Sequence, residues 1–386
     1  MAERLHIALI TERFGRKFGG AEAYAVHLFE KLSHDHDVTV IAREFDHDLP
    51  IQEVHVKKIK GWPSWIRALH FAYWTHKLTH QDAGYDVVHT HAMGPAGDVH
   101  VVHVVPIKFR RFFLQSAWRG VLSYLQPRNL AYLWLEASSV RAAPGKQLVA
   151  VSPSVQEQLH NAYPELKQIE MIPPGAHPTA VKPVERMQFR AQLGWSASDV
   201  GCLLVARNPL RKGLAAVTLA LRQLPAHYKL AVVGADSEAR QFLHNKHPEL
   251  QARISLLDPV TDVSPYYACA DIYVHPTLRD SFGMAPLEAM AHGLPVVLSG
   301  VQHCGFAAFV KHRFDAWVLD DPTDASSIAA ALLALSPEQT LGVQLVKQSV
   351  ALVHAFSWET VAKRYEALYL EVVRARGSTQ SQPRIQ

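Results

Sequence analysis

The stretch GCLLVARNPLRKGLAAVTLALRQLPAHYKLAVVG, which runs from Gly201 to Gly234, decides the fold class. Residues 201–206 and 230–234 are short apolar runs typical of buried strands, and residues 213–224 carry apolar side chains at helical spacing. A strand, a helix and a second strand in this order form a right-handed crossover between parallel strands. The stretch therefore predicts a parallel α/β sheet.

The same alternation continues in both directions along the chain. Further strands are predicted at 6–10, 38–42, 86–91, 148–151, 254–257, 272–275 and 295–299, with helices at 21–33 and 154–161. The run PPGAHP, from Pro173 to Pro178, breaks the pattern as neither a helix nor a strand would. We predict an N-terminal domain over 1–173, a C-terminal domain over 174–357, and a last helix (358–376) that packs back on the first domain.

Composition narrows the class of protein. With 386 residues, 48% of them hydrophobic and 19% charged, the chain has the composition of a globular protein and not of a disordered or fibrous one. Three cysteines without a CxxC pair exclude a disulfide scaffold and a structural zinc site, and they fit a reducing compartment. A formal net charge of +4 does not indicate nucleic acid, and we predict no such partner.

Ligands of open parallel sheets bind outside the carboxyl ends of the strands, so the loops there carry the candidate residues. The loop after the first strand places Gly19 and Gly20 directly before a helix, where backbone amides can approach an anion. A tight turn explains this loop equally well. The spacing is not GxGxxG, which makes a dinucleotide site improbable.

The strand at 86–91 is followed by a second polar loop. His89 and His91 share one face of this strand, and Asp98 lies seven residues after His91. A metal site would need a third ligand, with His100 or His103 as candidates. In a chain with 23 histidines such spacings arise by chance, so we favour His91 or Asp98 as a polar group in the site and predict no metal.

Two motifs in the second half are more specific. Arg207 and Lys212 flank a turn that opens a helix, an arrangement that suits a diphosphate, although a solvated basic turn is the alternative. Asp280 and Glu288 are separated by seven residues in the motif DSFGMAPLE. We predict that Asp280 lies in a loop, that Glu288 lies in a helix starting near Met284, and that amides around Gly283 face the same site.

Together with the closing Phe356-Ser-Trp358-Glu359, these motifs resemble the GT-B retaining glycosyltransferases, of the glycosyltransferase family 4 type. The segments IPPGAHP (172–178), RKG (211–213), CGF (304–306) and GDV (97–99) are more similar to the glucosyltransferases that build the lipopolysaccharide core of Gram-negative bacteria. The first acid of the family's E-x7-E motif is replaced here by Asp280. This replacement bears on the identity of the sugar more than on activity.

The resemblance implies an enzyme with two Rossmann-like domains facing a central cleft. It implies retaining transfer of a hexose, glucose from UDP-glucose, to a lipid-linked saccharide acceptor such as the inner-core heptose of lipopolysaccharide. No cofactor and no metal would be needed, because Arg207 and Lys212 would stabilise the departing UDP.

The remaining site residues follow from the same resemblance. Glu288 would hold the ribose, and His91 and Asp98 would contact the sugar or the acceptor as catalytic groups beside Arg207 and Lys212. The other donor-binding residues would be Gly19, Gly20, Asp280, Ser281, Phe282, Gly283, Met284 and Ala285. The alternatives are a mannosyltransferase that uses GDP-mannose in polysaccharide or O-antigen assembly, a non-hydrolysing UDP-sugar epimerase, and a non-catalytic UDP-sugar sensor.

The segment 107–146 combines seven basic residues, one acid and seven aromatic residues. These are Lys108, Arg110, Arg111, Arg119, Arg128, Arg141 and Lys146; Glu136; and Phe109, Phe112, Phe113, Trp118, Tyr124, Tyr132 and Trp134. One interpretation is a pair of core helices with arginines reaching solvent. We predict instead that the segment binds an anionic membrane surface, which would place the protein in the cytoplasm, peripherally on the cytoplasmic face of the inner membrane.

Overall fold

The computed structural model describes residues 4–80, 84–114, 126–143, 145–177 and 183–380. The chain divides into two compact units: unit 1 is Met1–Pro174 with Trp358–Gln386, and unit 2 is Gly175–Ser357. Each unit is built on a parallel sheet with helices between its strands. This confirms the predicted α/β fold with two Rossmann-like domains.

Unit 1 contains a seven-stranded sheet with the order β5-β3-β1-β6-β7-β8-β9. Its strands are β1 His6–Ile10, β3 Asp37–Ala42, β5 Gln52–His55, β6 Val87–Thr90, β7 Val99–Val102, β8 Gln147–Ala150 and β9 Glu170–Met171. A separate parallel pair joins β2 Arg13–Gly15 to β4 Glu44–Asp46. Because β1 lies between β3 and β6, the strand order reverses direction beside β1, and the loops after β1 and β6 meet there.

The helices of unit 1 lie between these strands, and one comes from the end of the chain. They are Gly20–Leu32, Ser64–Leu78, Ile107–Phe112, Pro127–Val140, Pro153–Ala162 and Trp358–Gln380, with a short 3-10 helix at Arg16–Phe18. The helix Gly20–Leu32 buries Tyr24 and Leu28 and packs against the last helix. The last helix continues to Gln380, beyond residue 376, where the sequence prediction ends it.

Buried tyrosine and histidine side chains form hydrogen bonds where the last helix packs in unit 1. The Tyr24 and Tyr365 hydroxyls lie 2.7 Å apart, and the Tyr369 hydroxyl lies 2.5 Å from Nδ1 of the fully buried His89. Buried hydroxyls and imidazoles need partners, and here they satisfy one another. These bonds join the last helix specifically to the helix Gly20–Leu32 and to β6.

Unit 2 contains a six-stranded parallel sheet with the order β12-β11-β10-β13-β14-β15. Its strands are β10 Val200–Val205, β11 Tyr228–Val233, β12 Ile254–Leu257, β13 Ile272–His275, β14 Val296–Ser299 and β15 Trp317–Leu319. Its α-helices are Pro183–Gln192, Leu214–Gln223, Ser237–Lys246, Ser264–Cys269, Met284–Ala291, Ala325–Ala334 and Thr340–Ala355, and its 3-10 helices are Pro248–Leu250 and Gly305–Phe309. A buried aliphatic cluster, which includes Leu204, Val217 and Leu332, joins the sheet to its helices.

Several elements have no clear signal in the sequence. The edge strand β5 has a mostly exposed and polar surface, β9 has only 2 residues, and β7 carries a buried histidine, His100. The helix Ser64–Leu78 is rich in aromatic residues, which hides its apolar periodicity. Within the described ranges, none of the helices combines the length and the apolar character that crossing a membrane requires.

Candidate functional site

The candidate site of unit 2 lies between β10 and β13, where the strand order of its sheet reverses. The strand β10 pairs with β11 on one side and with β13 on the other, so the loops that follow β10 and β13 are neighbours at the carboxyl edge of the sheet. This is the position at which open α/β sheets bind ligands. The first loop carries Arg207 and Lys212, and the second carries Asp280.

Gly213 allows these two loops to approach each other. It begins the helix Leu214–Gln223 with φ of 93°, and a Cβ atom at this position would lie 2.1 Å from the carbonyl oxygen of Pro276. Only glycine combines this backbone conformation with such a close contact. The amide of Leu278 also donates to the carbonyl of Arg211 at 3.0 Å, which fixes the two loops together.

The buried His275 and the half-buried Lys212 and Asp280 form a polar cluster at this edge. The Lys212 ammonium donates to Oδ2 of Asp280, and Nε2 of His275 lies 3.1 Å from the same oxygen. The Tyr273 hydroxyl lies 3.2 Å from Nδ1 of His275. The cluster thus joins the basic loop, the strand β13 and the first acid of the sequence motif.

The charges within the cluster follow from these contacts. Burial raises the pKa of Asp280, but the hydrogen bond from His275 and the charge of Lys212 outweigh it and hold the pKa below its ordinary value. Burial, together with the Lys212 charge, lowers the pKa of His275 despite the bond to Asp280. An ionised carboxylate can only accept, so the neutral imidazole carries its proton on Nε2 and accepts from Tyr273 at Nδ1.

Gly283 shapes the backbone that leads from Asp280 into the helix Met284–Ala291, with φ of 101°. A Cβ atom there would lie 2.8 Å from Sγ of Cys304. The backbone of Asp280 is held on both sides, because its amide donates to the carbonyl of His303 at 2.7 Å and its carbonyl accepts from the amide of Gly305 at 3.2 Å. Asp280 therefore lies in a loop and Met284 begins a helix, as predicted.

Glu288 lies inside this helix and is anchored by Tyr267. The fully buried Tyr267 donates from its hydroxyl to Oε2 of Glu288 at 2.9 Å, and its ring stacks on that of His292 with the centroids 4.8 Å apart. Burial raises the pKa of Glu288, although the Tyr267 hydrogen bond opposes this. The bond engages one oxygen, so the carboxylate keeps acceptor capacity for a ligand hydroxyl.

The structure joins the two acids through side chains that the sequence did not indicate. The rings of Tyr267 and Tyr273 lie 5.8 Å apart, so contacts run from Glu288 through Tyr267, Tyr273 and His275 to Asp280. Tyr267 and His275 were not predicted as members of the site. For His275 a signal existed, because it is the last residue of a strand and lies five positions before Asp280.

In unit 1, Gly19 and Gly20 lie at the start of the helix Gly20–Leu32. Gly19 has φ of 150°, and its carbonyl accepts from the Ala23 amide at 2.8 Å. The first amides of a helix have no partner within it, so they can bind an anion. Glu22 in the first turn forms an ion pair with Arg13 at 2.6 Å, which reduces its repulsion of an approaching anion.

His91 lies at the carboxyl edge of this sheet, within a cluster of histidine and tyrosine rings. Its Nε2 is 2.9 Å from Nε2 of His89, and its ring centroid is 4.6 Å from that of His103 and 5.4 Å from that of Tyr24. Burial, with His103 and His89 nearby, lowers the pKa of His91 well below its ordinary value. His91 is therefore neutral at neutral pH, and its buried Nδ1 has no hydrogen-bond partner among the described residues.

The structure does not bring Asp98 together with His91. Asp98 precedes β7 at the amino edge of the sheet, where Oδ2 accepts from the Val88 amide at 2.7 Å and Oδ1 forms an ion pair with Arg376 of the last helix. Arg376 also donates to the carbonyl of Asp86 at 2.8 Å. These contacts give the Asp98 carboxylate a structural role in unit 1, in contrast to the catalytic role that the resemblance implies.

The segment 107–146 is partly core and partly exposed. Its single acid, Glu136, is buried and accepts from the amides of Ile107 and Lys108 and from the Tyr163 hydroxyl, and the Lys108 ammonium lies 4.3 Å from the centre of the Tyr163 ring. Phe113, Leu114, Leu130 and Trp134 are exposed. Residues 115–125, which include the predicted Trp118, Arg119 and Tyr124, lie outside the described residues.

Comparison with known families gives one match for each unit. Residues 18–179 match the family described as Glycosyltransferase Family 4, and residues 200–337 match the family described as Glycosyl transferases group 1. The D-inositol 3-phosphate glycosyltransferase of Acidothermus cellulolyticus is 26% identical over 94% of this chain and 88% of its own. A UDP-Gal:alpha-D-GlcNAc-diphosphoundecaprenol alpha-1,3-galactosyltransferase of Escherichia coli is 24% identical over 75% of this chain and 76% of its own.

Solved structures share the fold over nearly the whole chain. WaaG, a glycosyltransferase involved in lipopolysaccharide biosynthesis, superposes with a TM-score of 0.70 at 21% identity, covering 97% of this chain and 100% of its own. HepE from Anabaena, solved in complex with UDP-glucose, superposes with a TM-score of 0.72 at 17% identity, covering 97% of this chain and 100% of its own.

Proposed function

The chain is a GT-B glycosyltransferase, and from that premise we propose that it transfers a hexose from a UDP-sugar, with UDP-glucose as the donor, to a sugar hydroxyl of a lipid-linked acceptor with retention of configuration. One observation carries the proposal. Lys212, Asp280 and the amides before the helix Met284–Ala291 meet between β10 and β13, where the strand order of unit 2 reverses. A half-buried cation beside a helix start suits a diphosphate.

In this proposal Arg207 and Lys212 bind the donor diphosphate and stabilise the charge that develops on the departing UDP. Charges that are already oriented contribute most to such stabilisation, because they need no reorganisation during the reaction. Lys212 meets this condition, since Asp280 and the close approach at Gly213 fix its position. The amides of the loop Ser281–Phe282–Gly283 and of Met284 and Ala285 would complete the phosphate and sugar contacts.

Glu288 and Asp280 would then act on different parts of the donor. Glu288, anchored by Tyr267, accepts hydrogen bonds from the ribose hydroxyls. Asp280 has one oxygen engaged by Lys212 and His275, so its other oxygen faces fewer constraints and accepts from a hexose hydroxyl. The shorter aspartate places this acceptor further from the sugar than a glutamate would, which motivates a test of sugar preference.

The relatives and neighbours support the donor and acceptor classes without fixing them. HepE was solved with UDP-glucose, and the Escherichia coli relative is named for UDP-Gal and for an acceptor on diphosphoundecaprenol. WaaG is named for lipopolysaccharide biosynthesis, and an inner-core sugar such as heptose is the acceptor that the sequence resemblance implies. Binding to the cytoplasmic face of the inner membrane through 107–146 is part of this proposal, because a lipid-linked acceptor is held there.

A second acceptor is favoured by a specific observation. Several relatives, including those with 26–28% identity, are named D-inositol 3-phosphate glycosyltransferases. An acceptor panel should therefore contain inositol 3-phosphate beside heptose-containing core saccharides on lipid. Transfer to inositol 3-phosphate alone would show that the lipid-linked acceptor is wrong while leaving the donor site intact.

The donor is tested by thermal-shift measurements with UDP-, GDP- and ADP-sugars, since a ligand that binds only the folded protein raises its melting temperature by mass action. We expect UDP-glucose to give the largest shift and slow release of glucose to follow. A larger shift with GDP-mannose would favour the mannosyltransferase, and C2 epimerisation of a UDP-sugar would favour the epimerase. Turnover should persist in EDTA, and its loss with recovery on added divalent ion would contradict metal independence.

A further inference from the structure

A second aromatic and basic surface lies on unit 1, outside the segment 107–146. An apolar groove of about 450 Å³ runs between the loop at 57–63 and the helix Ser64–Leu78. Its lining consists of Ile59, Trp62, Ile66, Leu69, His70 and Tyr73. We call this groove with its flanking lysines the Trp62 surface.

The large side chains of the Trp62 surface are turned outward. Trp62 is 57% exposed, Tyr73 is 63% exposed and the neighbouring Trp74 is 38% exposed. A soluble domain rarely leaves contiguous aromatic surface in water unless something binds there. The other face of the same helix buries Phe71 and Thr75, so the exposed rings are not a misplaced core.

The charge of the residues around the Trp62 surface indicates which kind of partner binds there. Between residues 54 and 81 the chain has five lysines and arginines (Lys57, Lys58, Lys60, Arg67 and Lys77) and no aspartate or glutamate. Lys58 is paired with Glu44 at 2.8 Å, and the Lys77 ammonium lies 5.2 Å from the centre of the Trp74 ring. Lys57 and Lys60, which lie on either side of the lining residue Ile59 in the sequence, are exposed. The partner is therefore anionic as well as apolar.

The extent of the surface favours a bilayer over a single bound chain. The helix Ser64–Leu78 packs against the helix Pro127–Val140, which exposes Leu130 and Trp134, the latter to 55%. Tryptophan and tyrosine rings settle at the headgroup level of a membrane, and lysines beside them bind anionic lipids. Exposed aromatic side chains on two packed helices, with lysines on the adjoining loop, fit an extended anionic interface better than a single bound chain.

We propose that the Trp62 surface docks the enzyme on an anionic lipid bilayer, with Trp62 and Tyr73 in the headgroup layer and Lys57 and Lys60 on lipid phosphates. The proposal stands on contacts of unit 1 and extends the membrane contact proposed for 107–146. It does not depend on the identity of the donor, because none of its residues belongs to the candidate site.

The test is flotation of the full chain with phosphatidylcholine vesicles, with and without phosphatidylglycerol. We expect binding only with the anionic lipid, and weaker binding as salt rises, because exposed charges are screened beyond about 8 Å at physiological ionic strength. Lys57→Ser with Lys60→Ser should weaken binding by about fivefold for each cation removed. Trp62→Ser with Tyr73→Ser should weaken it further and reduce its persistence at high salt.

A matched control is Lys347→Ser with Val350→Ser, which removes an exposed cation and an exposed apolar side chain from unit 2. This control should bind as the wild type does. Thermal melting and the thermal shift with UDP-glucose should be unchanged in every variant, so loss of flotation is separable from loss of fold and from failure of the donor assignment.

Two outcomes would overturn the proposal. One is that the wild type binds equally with and without phosphatidylglycerol, or that the variants at Trp62 and Lys57 still bind. In the second case, loss of binding on Lys108→Ser, Arg110→Ser and Arg111→Ser together would assign the contact to 107–146 alone. The other is a dimer in light scattering that Trp62→Ser with Tyr73→Ser converts to monomer, since the surface would then be a contact between two copies.

Discussion

Nε2 of His275 lies 3.1 Å from Oδ2 of Asp280, the oxygen that also accepts from Lys212. The imidazole is 1% exposed and neutral, so this contact is a hydrogen bond from a fixed donor to a half-buried carboxylate and not an ion pair between two charged groups. Through Asp280, His275 helps to fix the ammonium of Lys212.

His275→Leu should therefore reduce kcat/KM by about tenfold or more, as expected for loss of a hydrogen bond to a charged group. It should also move the acid limb of the pH–activity profile to higher pH, because Asp280 loses a donor that lowers its pKa. His275→Gln, which keeps an N–H of similar reach, should recover part of both effects. An unchanged acid limb in His275→Leu would show that His275 only fills space.

Lys212→Ala and Arg207→Ala should each lower kcat, by an amount that corresponds to the loss of about 2–4 kcal/mol of transition-state stabilisation. Arg211→Ala, which removes an exposed cation from the same loop, is the matched control and should retain turnover. Lys212→Ala also leaves the carboxylate of Asp280 without its cation, so it should lower the melting temperature. Adding Asp280→Asn should restore stability but not activity, and recovery of both would contradict a role for Lys212 at the diphosphate.

Asp280→Glu restores the first acid of the family's motif, and we expect reduced but measurable activity with an altered order of preference among UDP-sugars. The longer side chain moves its carboxylate relative to Lys212 and His275, both of which now bond the same oxygen. Initial rates across UDP-glucose, UDP-galactose and UDP-N-acetylglucosamine measure the order. An order identical to that of the wild type would show that Asp280 does not contact the hexose.

Glu288→Gln should raise the KM for the donor by about tenfold with a smaller change in kcat, because an amide is a poorer acceptor for ribose hydroxyls than a carboxylate. Tyr267→Phe should raise the same KM by about fivefold, the value of a hydrogen bond worth about 1 kcal/mol. The exposed Glu338→Gln serves as a control. A lower kcat at constant KM in both variants would contradict ribose binding by Glu288.

The free energy of unfolding should fall between about pH 6.5 and pH 4. Burial lowers the pKa of His89 to about 3 and that of His103 to about 4, so below the ordinary pKa the unfolded chain binds protons that the folded protein does not. Each such histidine contributes a slope of about 1.4 kcal/mol per pH unit. Urea titrations should show this slope reduced in His103→Phe and retained in the exposed His55→Gln; equal slopes in all three proteins would contradict it.

The sequence determined the strands and helices wherever apolar residues form an unbroken buried run or recur at helical spacing. Strands such as His6–Ile10 and Ile272–His275 were predicted with their observed bounds because they are short apolar runs between turn residues. The motif from Asp280 to Glu288 was predicted as loop and helix because glycine and proline limit where that helix can start. Elements at a sheet edge or with mixed aromatic surfaces, such as Gln52–His55 and Ser64–Leu78, lacked this signal.

Only the tertiary structure decided which side chains act together. Asp98 and His91 are seven residues apart, yet the chain between them returns to the amino edge of the sheet, and Arg376, 278 positions away, binds the aspartate. His275 ends the strand β13 and Tyr267 lies in the helix Ser264–Cys269 before that strand, and the fold places them against Asp280 and Glu288. Strand order and loop path fix these contacts, and neither is encoded in the spacing of residues along the chain.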